Sequence, residues 1–338
     1  MATQTQRSFT ASVAVRKQVP LLIGLVSPSG GGKTRSSLRL ATGIQRVCKG
    51  AIVGIDTEAN RMLHHAESFQ FHHIPFSAPF GSLDYLAALD YAIVEGRKIR
   101  QGRPIVIVDQ ISSEHDGQGG MLDYQEDELQ RLAGDNYEKR ERVKMLAWGK
   151  PKQARRALIN GILQMDCNFI FNFRTKHTSK PVKVNGKTEV VAQGFVPIAG
   201  EEFVYEMTMC ALLYPKADGF PTWDSEFPGE KMAMKLPEWF RPILLDGQGQ
   251  PRQLTEDVGE ALARWADGGE KSPATLSLSK EWYAKCDHDQ FDELEKLRAA
   301  RWASLSAAAK VSVKADADAA KARLGPRPTS PPPPPPAP

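Results

Sequence analysis

Short β-branched runs alternate with longer amphipathic segments from residue 20 to about residue 214, and that alternation predicts an α/β fold with a mostly parallel sheet covered by helices. The runs at 21–26, 51–56, 105–109, 168–173 and 205–213 read as strands. Glu206 interrupts the last of these, and the pattern gives that carboxylate no role. Segment 34–48 reads as a helix, because Leu40, Ile44 and Val47 recur at i, i+4 and i+7 beside Ala41 and Cys48. In 182–191 two alternating runs flank Asn185-Gly186, a dipeptide suited to the positive φ angles of a two-residue hairpin turn. A further helix is expected over 254–266, with Thr255 as N-cap and Val258, Leu262 and Trp265 on one face.

After this helix the pattern changes. Residues 268–273 read as a linker, and 280–324 is helix-prone, with Phe291, Leu294 and Leu297 as its clearest apolar stripe. The last stretch contains six consecutive prolines and reads as extended polyproline. The expected organisation is a flexible arm over 1–18, an α/β domain over 19–267, a small helical C-terminal module over 274–324 and a disordered proline-rich tail over 325–338. No internal repeat is visible.

Composition narrows the class. With 338 residues, 41% hydrophobic and 25% charged, the chain is globular and neither collagen-like nor wholly disordered. No apolar run approaches the roughly 18 residues of a membrane span. The polar N-terminal stretch carries no signal-like segment, so a cytoplasmic location is expected, that of the host cell for a phage protein. Cys48, Cys167, Cys210 and Cys286 are scattered, without the close spacing of a zinc site, and read as free thiols. His64-His65 and His72-His73 are adjacent pairs that cannot share a helix face, so no zinc is expected there. Trp239, Trp265, Trp282 and Trp302 are expected to pack rather than to stack on a ligand.

The chemically informative segment is Ser27-Pro28-Ser29-Gly30-Gly31-Gly32-Lys33-Thr34, between a predicted strand and a predicted helix. It matches the P-loop pattern, with Ser27 at the first glycine position. In that pattern the loop amides of Ser29, Gly30, Gly31 and Gly32 surround phosphate oxygens, Lys33 reaches the β- and γ-phosphates, and the Thr34 hydroxyl ligates Mg²⁺. The dipole of the following helix favours the same anion. Residues Ile105, Val106, Ile107, Val108 and Asp109 form an apolar strand ending in a carboxylate, the Walker B arrangement that completes a metal site. ATP and Mg²⁺ are the expected cofactors.

Two carboxylates compete as the general base, and Glu58 is the choice. Asp109 is followed by Gln110, so the Asp-Glu pair common in AAA+ ATPases is missing. Glu58, just after the strand ending Ile55-Asp56, would stand at the carboxyl edge of the sheet, where such sheets bind ligands. Glu114, after Asp109, is the competitor. A GTPase is disfavoured because Thr175-Lys176-His177-Thr178 lacks the aspartate of a guanine-reading motif.

The segments SPSGGGKT (27–34), GIDTEANR (54–61), IVIVDQIS (105–112) and FIFNFRTKH (169–177) together resemble RecA-like P-loop ATPases of bacteriophages, the phage single-strand annealing recombinases and their phage AAA-family relatives. The resemblance spans about residues 20–265, and its P-loop and Walker B segments are the specific ones. It implies a RecA-like core, ATP hydrolysis, a homo-oligomer and action on single-stranded DNA in replication or recombination. It also implies a γ-phosphate sensor at the end of the fourth strand, mapping onto Asn172, Arg174 or Lys176, with Arg174 as the catalytic choice. The C-terminal region would then bind a protein partner. The rival expectation is an ATP-binding, weakly hydrolysing interaction protein that recruits replication or packaging partners.

Two basic clusters fit the DNA expectation. Lys139, Arg140, Arg142, Lys144, Lys150, Lys152, Arg155 and Arg156 are interleaved with Tyr137 and Trp148, and single strands need both cations and flat rings. The plainer alternative is a solvated helix with Trp148 turned inward. The second cluster, Arg174, Lys176, Lys180, Lys183 and Lys187, lies on and around the predicted hairpin.

Overall fold

In the computed structural model, residues 18–184, 187–268, 283–284, 286, 288–301 and 307–325 are described. The chain divides into two compact units, one of them Val19–Asp267. Its sheet has seven strands: β1 (Leu22–Ser27), β2 (Lys49–Asp56), β3 (His72–Pro75), β4 (Arg103–Asp109), β5 (Asn168–Val184), β6 (Lys187–Pro197) and β7 (Met209–Leu212). The order is β3-β2-β4-β5-β1-β7, all parallel, while β6 runs antiparallel along the outer half of β5. This is an α/β architecture with a mostly parallel sheet flanked by helices, as in Rossmann-like and RecA-like folds.

Strand residues alternate between two helical layers because successive side chains leave opposite faces of a strand. Val53, Ile55, Val106, Val108, Phe169 and Phe171 pack under α2 (Ser82–Ile99) and α6 (Gly149–Gln164), where Tyr85, Leu89, Leu158 and Ile162 are buried. Ile23, Leu25, Ile52, Ile105, Ile107 and Ile170 face the other way, onto α1 (Lys33–Cys48) and α9 (Glu256–Asp267). Those two helices approach so closely that a Cβ on Gly43 would sit 1.8 Å from the Glu256 carbonyl oxygen. Further short helices, α3 (Ser113–Asp116), α4 (Met121–Ala133), α5 (Tyr137–Val143), α7 (Glu201–Tyr205) and α8 (Arg241–Leu244), fill the connections.

One expectation changes, and two features are added. The strand expected over 205–213 is shorter: α7 ends at Tyr205 and β7 begins at Met209, so exposed Glu206 caps a helix instead of breaking a strand. The local cause is Glu201 and Glu202 in the first turn behind Gly200, a helix-start pattern. Strand β3 had no periodicity of its own, since His72-His73-Ile74-Pro75 is read as a strand only by pairing with β2. Trp239 packs, but from outside: it is 56% exposed and stacks on Trp265, with ring centroids 6.0 Å apart and planes 7° apart.

In the other unit, α10 (His288–Arg301) and α11 (Ala307–Leu324) bury Tyr283, Cys286, Leu294, Val313, Ala317 and Ala320 together. Arg323 ties them by donating to the carbonyls of Tyr283 (3.2 Å) and Cys286 (2.6 Å). The Asn185-Gly186 turn, Trp282, Trp302, the arm over 1–17 and the proline tail lie outside the described residues. Among the described residues the four cysteines are free, and burial pushes the Cys210 thiol up to about 12. No described helix is long and apolar enough to cross a membrane.

Candidate functional site

Strand β1 ends in fully buried Ser27, and the chain then turns through the glycine loop into α1. Gly30 (φ 79°) and Gly32 (φ 83°) hold left-handed backbone that side chains disfavour. Gly31 is required for a different reason: a Cβ there would lie 1.6 Å from Ser27 Oγ. The serine at the first pattern position therefore fills the space beside the second of the three glycines, and the two are sterically matched. Gly32 caps α1 without a side chain, and the first turn holds no acidic residue, which leaves its amides open to an anion.

Lys33 folds back over this loop, its Nζ donating to the carbonyls of Ser27 (3.0 Å) and Pro28 (3.1 Å). Burial lowers its pKa below the ordinary lysine value, against the opposing pull of Asp109 and Glu58.

Parallel pairing sets Asp56, Asp109 and Asn172 in one row across β2, β4 and β5. Because β5 lies between β1 and β4, Asn172 stands beside Asp109 and donates to Oδ1 at 3.0 Å. Thr34 Oγ1 donates to the other oxygen, Oδ2, at 2.6 Å. Ser37, one turn along α1 from Lys33, donates to Asn172 Oδ1 at 2.7 Å, so α1 and the strand ends share one buried chain of polar groups. A hydroxyl and a carboxylate oxygen at this separation offer the hard donors that Mg²⁺ takes while keeping waters or phosphate oxygens. Among the described residues no group of three or more His, Cys, Asp or Glu side chains could hold a metal ion.

Glu58 is aimed by Asp56, whose carboxylate accepts from the amides of Glu58 (2.7 Å) and Met62 (2.9 Å) and contacts His73 Nε2 at 3.1 Å. Ala59 (φ 54°) and Asn60 (φ 66°) are both left-handed, so the loop after β2 is held in a costly conformation. Thr57 pins it to β4 by donating its amide to the Asp109 carbonyl at 2.8 Å. Burial, then the nearby Asp109 charge, raise the Glu58 carboxyl above its ordinary value, while Lys33, Arg61 and Arg174 pull it down. Arg174 at the parallel end of β5 donates its amide to Ser112 Oγ (2.8 Å) and its guanidinium to Asp116 (3.3 Å), with Nε buried and unpartnered.

Glu114 is differently placed. It accepts from Ser82 Oγ at 2.5 Å and pairs with Arg155 at 2.5 Å, so both of its oxygens are occupied in the core beneath α2 and α6. Arg35, Arg61 and His65 are site neighbours that no local pattern marks. Ser37 at i+4 from Lys33 is the one helical spacing would have flagged. Burial lowers the His65 pKa, with Asp109 opposing and Arg35 assisting.

Between 137 and 156 the cations are largely committed within the chain. Arg140 pairs with Glu126, Arg142 with Glu138, Lys144 with Glu141, Lys150 with Glu128 and buried Arg155 with Glu114. The β5–β6 hairpin differs: Lys176, Lys180 and Lys183 are exposed along an arm extending from the strand that carries Asn172 and Arg174. Neither a protein-family model nor a curated protein matches the chain.

Proposed function

We propose that the chain is a RecA-like P-loop ATPase of bacteriophage type, hydrolysing Mg²⁺-ATP and acting as a homo-oligomer on single-stranded DNA in replication or recombination. The observation that carries the reading is the 2.6 Å hydrogen bond joining Thr34, at the start of α1, to Asp109, at the end of β4. It brings the hydroxyl and the carboxylate of a metal site together directly behind a glycine loop whose Gly31 accommodates no Cβ. Ser29, Gly30, Gly31, Gly32 and Lys33 would hold the phosphates, and Thr34 with Asp109 the metal. Bound Mg²⁺ would neutralise charge on the phosphate oxygens.

Glu58 has the attributes of a general base: a carboxylate with raised proton affinity, held by a fixed loop and exposed enough to meet water. It takes the proton of the attacking water, and Lys33 and Arg174 offset the negative charge that accumulates. Glu114 lacks those attributes because both of its oxygens already accept hydrogen bonds. DNA contact fits the lysines of the β5–β6 arm better than the 137–156 segment. The second reading is an ATP-binding protein of low turnover that recruits partners.

A Mg²⁺-dependent fluorescent ATP analogue titration, followed by hydrolysis assays with and without single-stranded DNA, tests both. Saturable binding with DNA-stimulated turnover supports the first reading. Tight binding with negligible turnover supports the second, and no saturable uptake by folded protein overturns both.

A further inference from the structure

The period-two alternation that sends Ile107 and Ile170 onto α1 sends Asp109 and Asn172 the same way, two residues further along β4 and β5. They meet two hydroxyls from one face of the helix, since Thr34 and Ser37 are three residues apart. Thr34 Oγ1 donates to Asp109 Oδ2 at 2.6 Å, Asn172 Nδ2 to Asp109 Oδ1 at 3.0 Å and Ser37 Oγ to Asn172 Oδ1 at 2.7 Å. One turn of α1 closes these four side chains into a ring.

Chemistry fixes the sense of the ring. An ionised carboxylate only accepts, so Asn172 must turn its nitrogen to Asp109, which leaves the amide oxygen facing α1 and in need of a donor. Ser37 is that donor. Ser37 and Asn172 are fully buried and Asp109 is 2% exposed, so bulk water does not replace a missing partner. The Asn172 carbonyl also accepts from the Ile111 amide at 3.0 Å, which pins its backbone to the chain just past Asp109.

A serine in a stretch of helix beside buried Leu38, Leu40 and Ala41 costs free energy unless its hydroxyl is bonded. Such a serine often donates back to the carbonyl four residues earlier, whereas Ser37 donates across to the sheet. Asn172, held at both ends of its amide, is not free to turn to a phosphate, while the Arg174 side chain is 41% exposed.

We propose that Ser37 is a positioning residue for the metal carboxylate: by holding the Asn172 amide oxygen it keeps the amide nitrogen on Asp109 Oδ1, and so keeps Oδ2 turned to Thr34, where the ion would bind. Ser37 touches neither ion nor nucleotide and acts only through Asn172, which thereby serves the metal site rather than reading the γ-phosphate. The proposal rests on the triphosphate reading above and adds how its metal site is held in place.

The test is uptake of a fluorescent ATP analogue, titrated with Mg²⁺, by the full chain and by Ser37→Ala, Asn172→Ala and the double variant. Ser37→Ala should raise the Mg²⁺ concentration for half-maximal uptake about fivefold, yet reach the parent's plateau at saturating Mg²⁺. Asn172→Ala should raise it at least as much, and the double variant no further than Asn172→Ala alone. A Ser37→Ala midpoint within about twofold of the parent's overturns the proposal. So does uptake lowered alike at every Mg²⁺ concentration, the mark of a general packing defect, and so do fully additive shifts in the double variant. Should circular dichroism show Ser37→Ala to be unfolded, Ser37→Cys keeps a weaker donor of similar size and should move the midpoint the same way by about threefold, no movement again overturning the role. A parent chain without Mg²⁺-dependent uptake overturns the triphosphate reading itself, whereas a normal parent with an unmoved variant refutes Ser37 alone.

Discussion

Arg155 and Glu114 form an ion pair in which both side chains are only 4% exposed, with Nη2 2.5 Å from Oε2. The pair joins α6 to α3, just after β4, and Ser82 supplies a further donor from α2. Removing the guanidinium leaves a buried charge with no counter-ion. Arg155→Leu should therefore cost about 3–5 kcal/mol of unfolding free energy, read from urea denaturation. Stability within about 0.5 kcal/mol of the parent would mean that the pair is not closed in solution.

Glu58→Gln should reduce turnover by about 10²–10⁴ while retaining ATP. The pH dependence has a definite sign. The base is active when ionised and its pKa is raised, so turnover should fall with decreasing pH at an inflection above the ordinary carboxylate range. A raised carboxyl pKa also means that ionising Glu58 works against folding: its favourable term is present below the unfolded pKa and lost as pH rises through the folded one. The glutamine variant should thus melt higher than the parent at neutral pH, and the difference should vanish in acid. Full turnover in the variant would exclude Glu58 as the base.

Gly31→Ala places a Cβ where Ser27 Oγ stands, and overpacking of this kind costs about 1–3 kcal/mol. Ser27→Gly removes the obstructing atom, so the double variant should recover part of the loss. A double-mutant cycle on thermal stability should yield a coupling of about 0.5–3 kcal/mol between the two positions. Strict additivity would show that they do not share the space.

Removing the charges of Lys176, Lys180 and Lys183 by glutamine should flatten the salt dependence of single-stranded DNA binding by about 2 in log–log slope. Glutamine at Lys139, Arg140, Arg142 and Lys144 should change it much less, because three of those four already have carboxylate partners. The reverse ordering would move the DNA path from the hairpin to α5.

The chain's local patterns were enough to expect strands ending at Asp56 and Asp109, a helix opening at Thr34 and three glycines between strand and helix. Period-two and period-3.6 burial, and the conformations only glycine adopts, are written in neighbouring residues. What tertiary structure alone decided is which polar groups meet. Asn172 reaches Asp109 because β5 enters the sheet between β1 and β4, and no spacing along the chain encodes that neighbour. The sequence favoured Glu58 over Glu114 by its place after a strand end, but did not show what each carboxylate would meet. They part company because one sits in a pinned loop above the strand ends and the other meets Arg155 in the core. The 137–156 cations likewise looked available until folding supplied Glu126 and Glu128 from α4. Backbone preference acts over a few residues, whereas charge pairing and desolvation depend on whatever folding brings within a few ångströms, and that is set by the whole sheet and its helices.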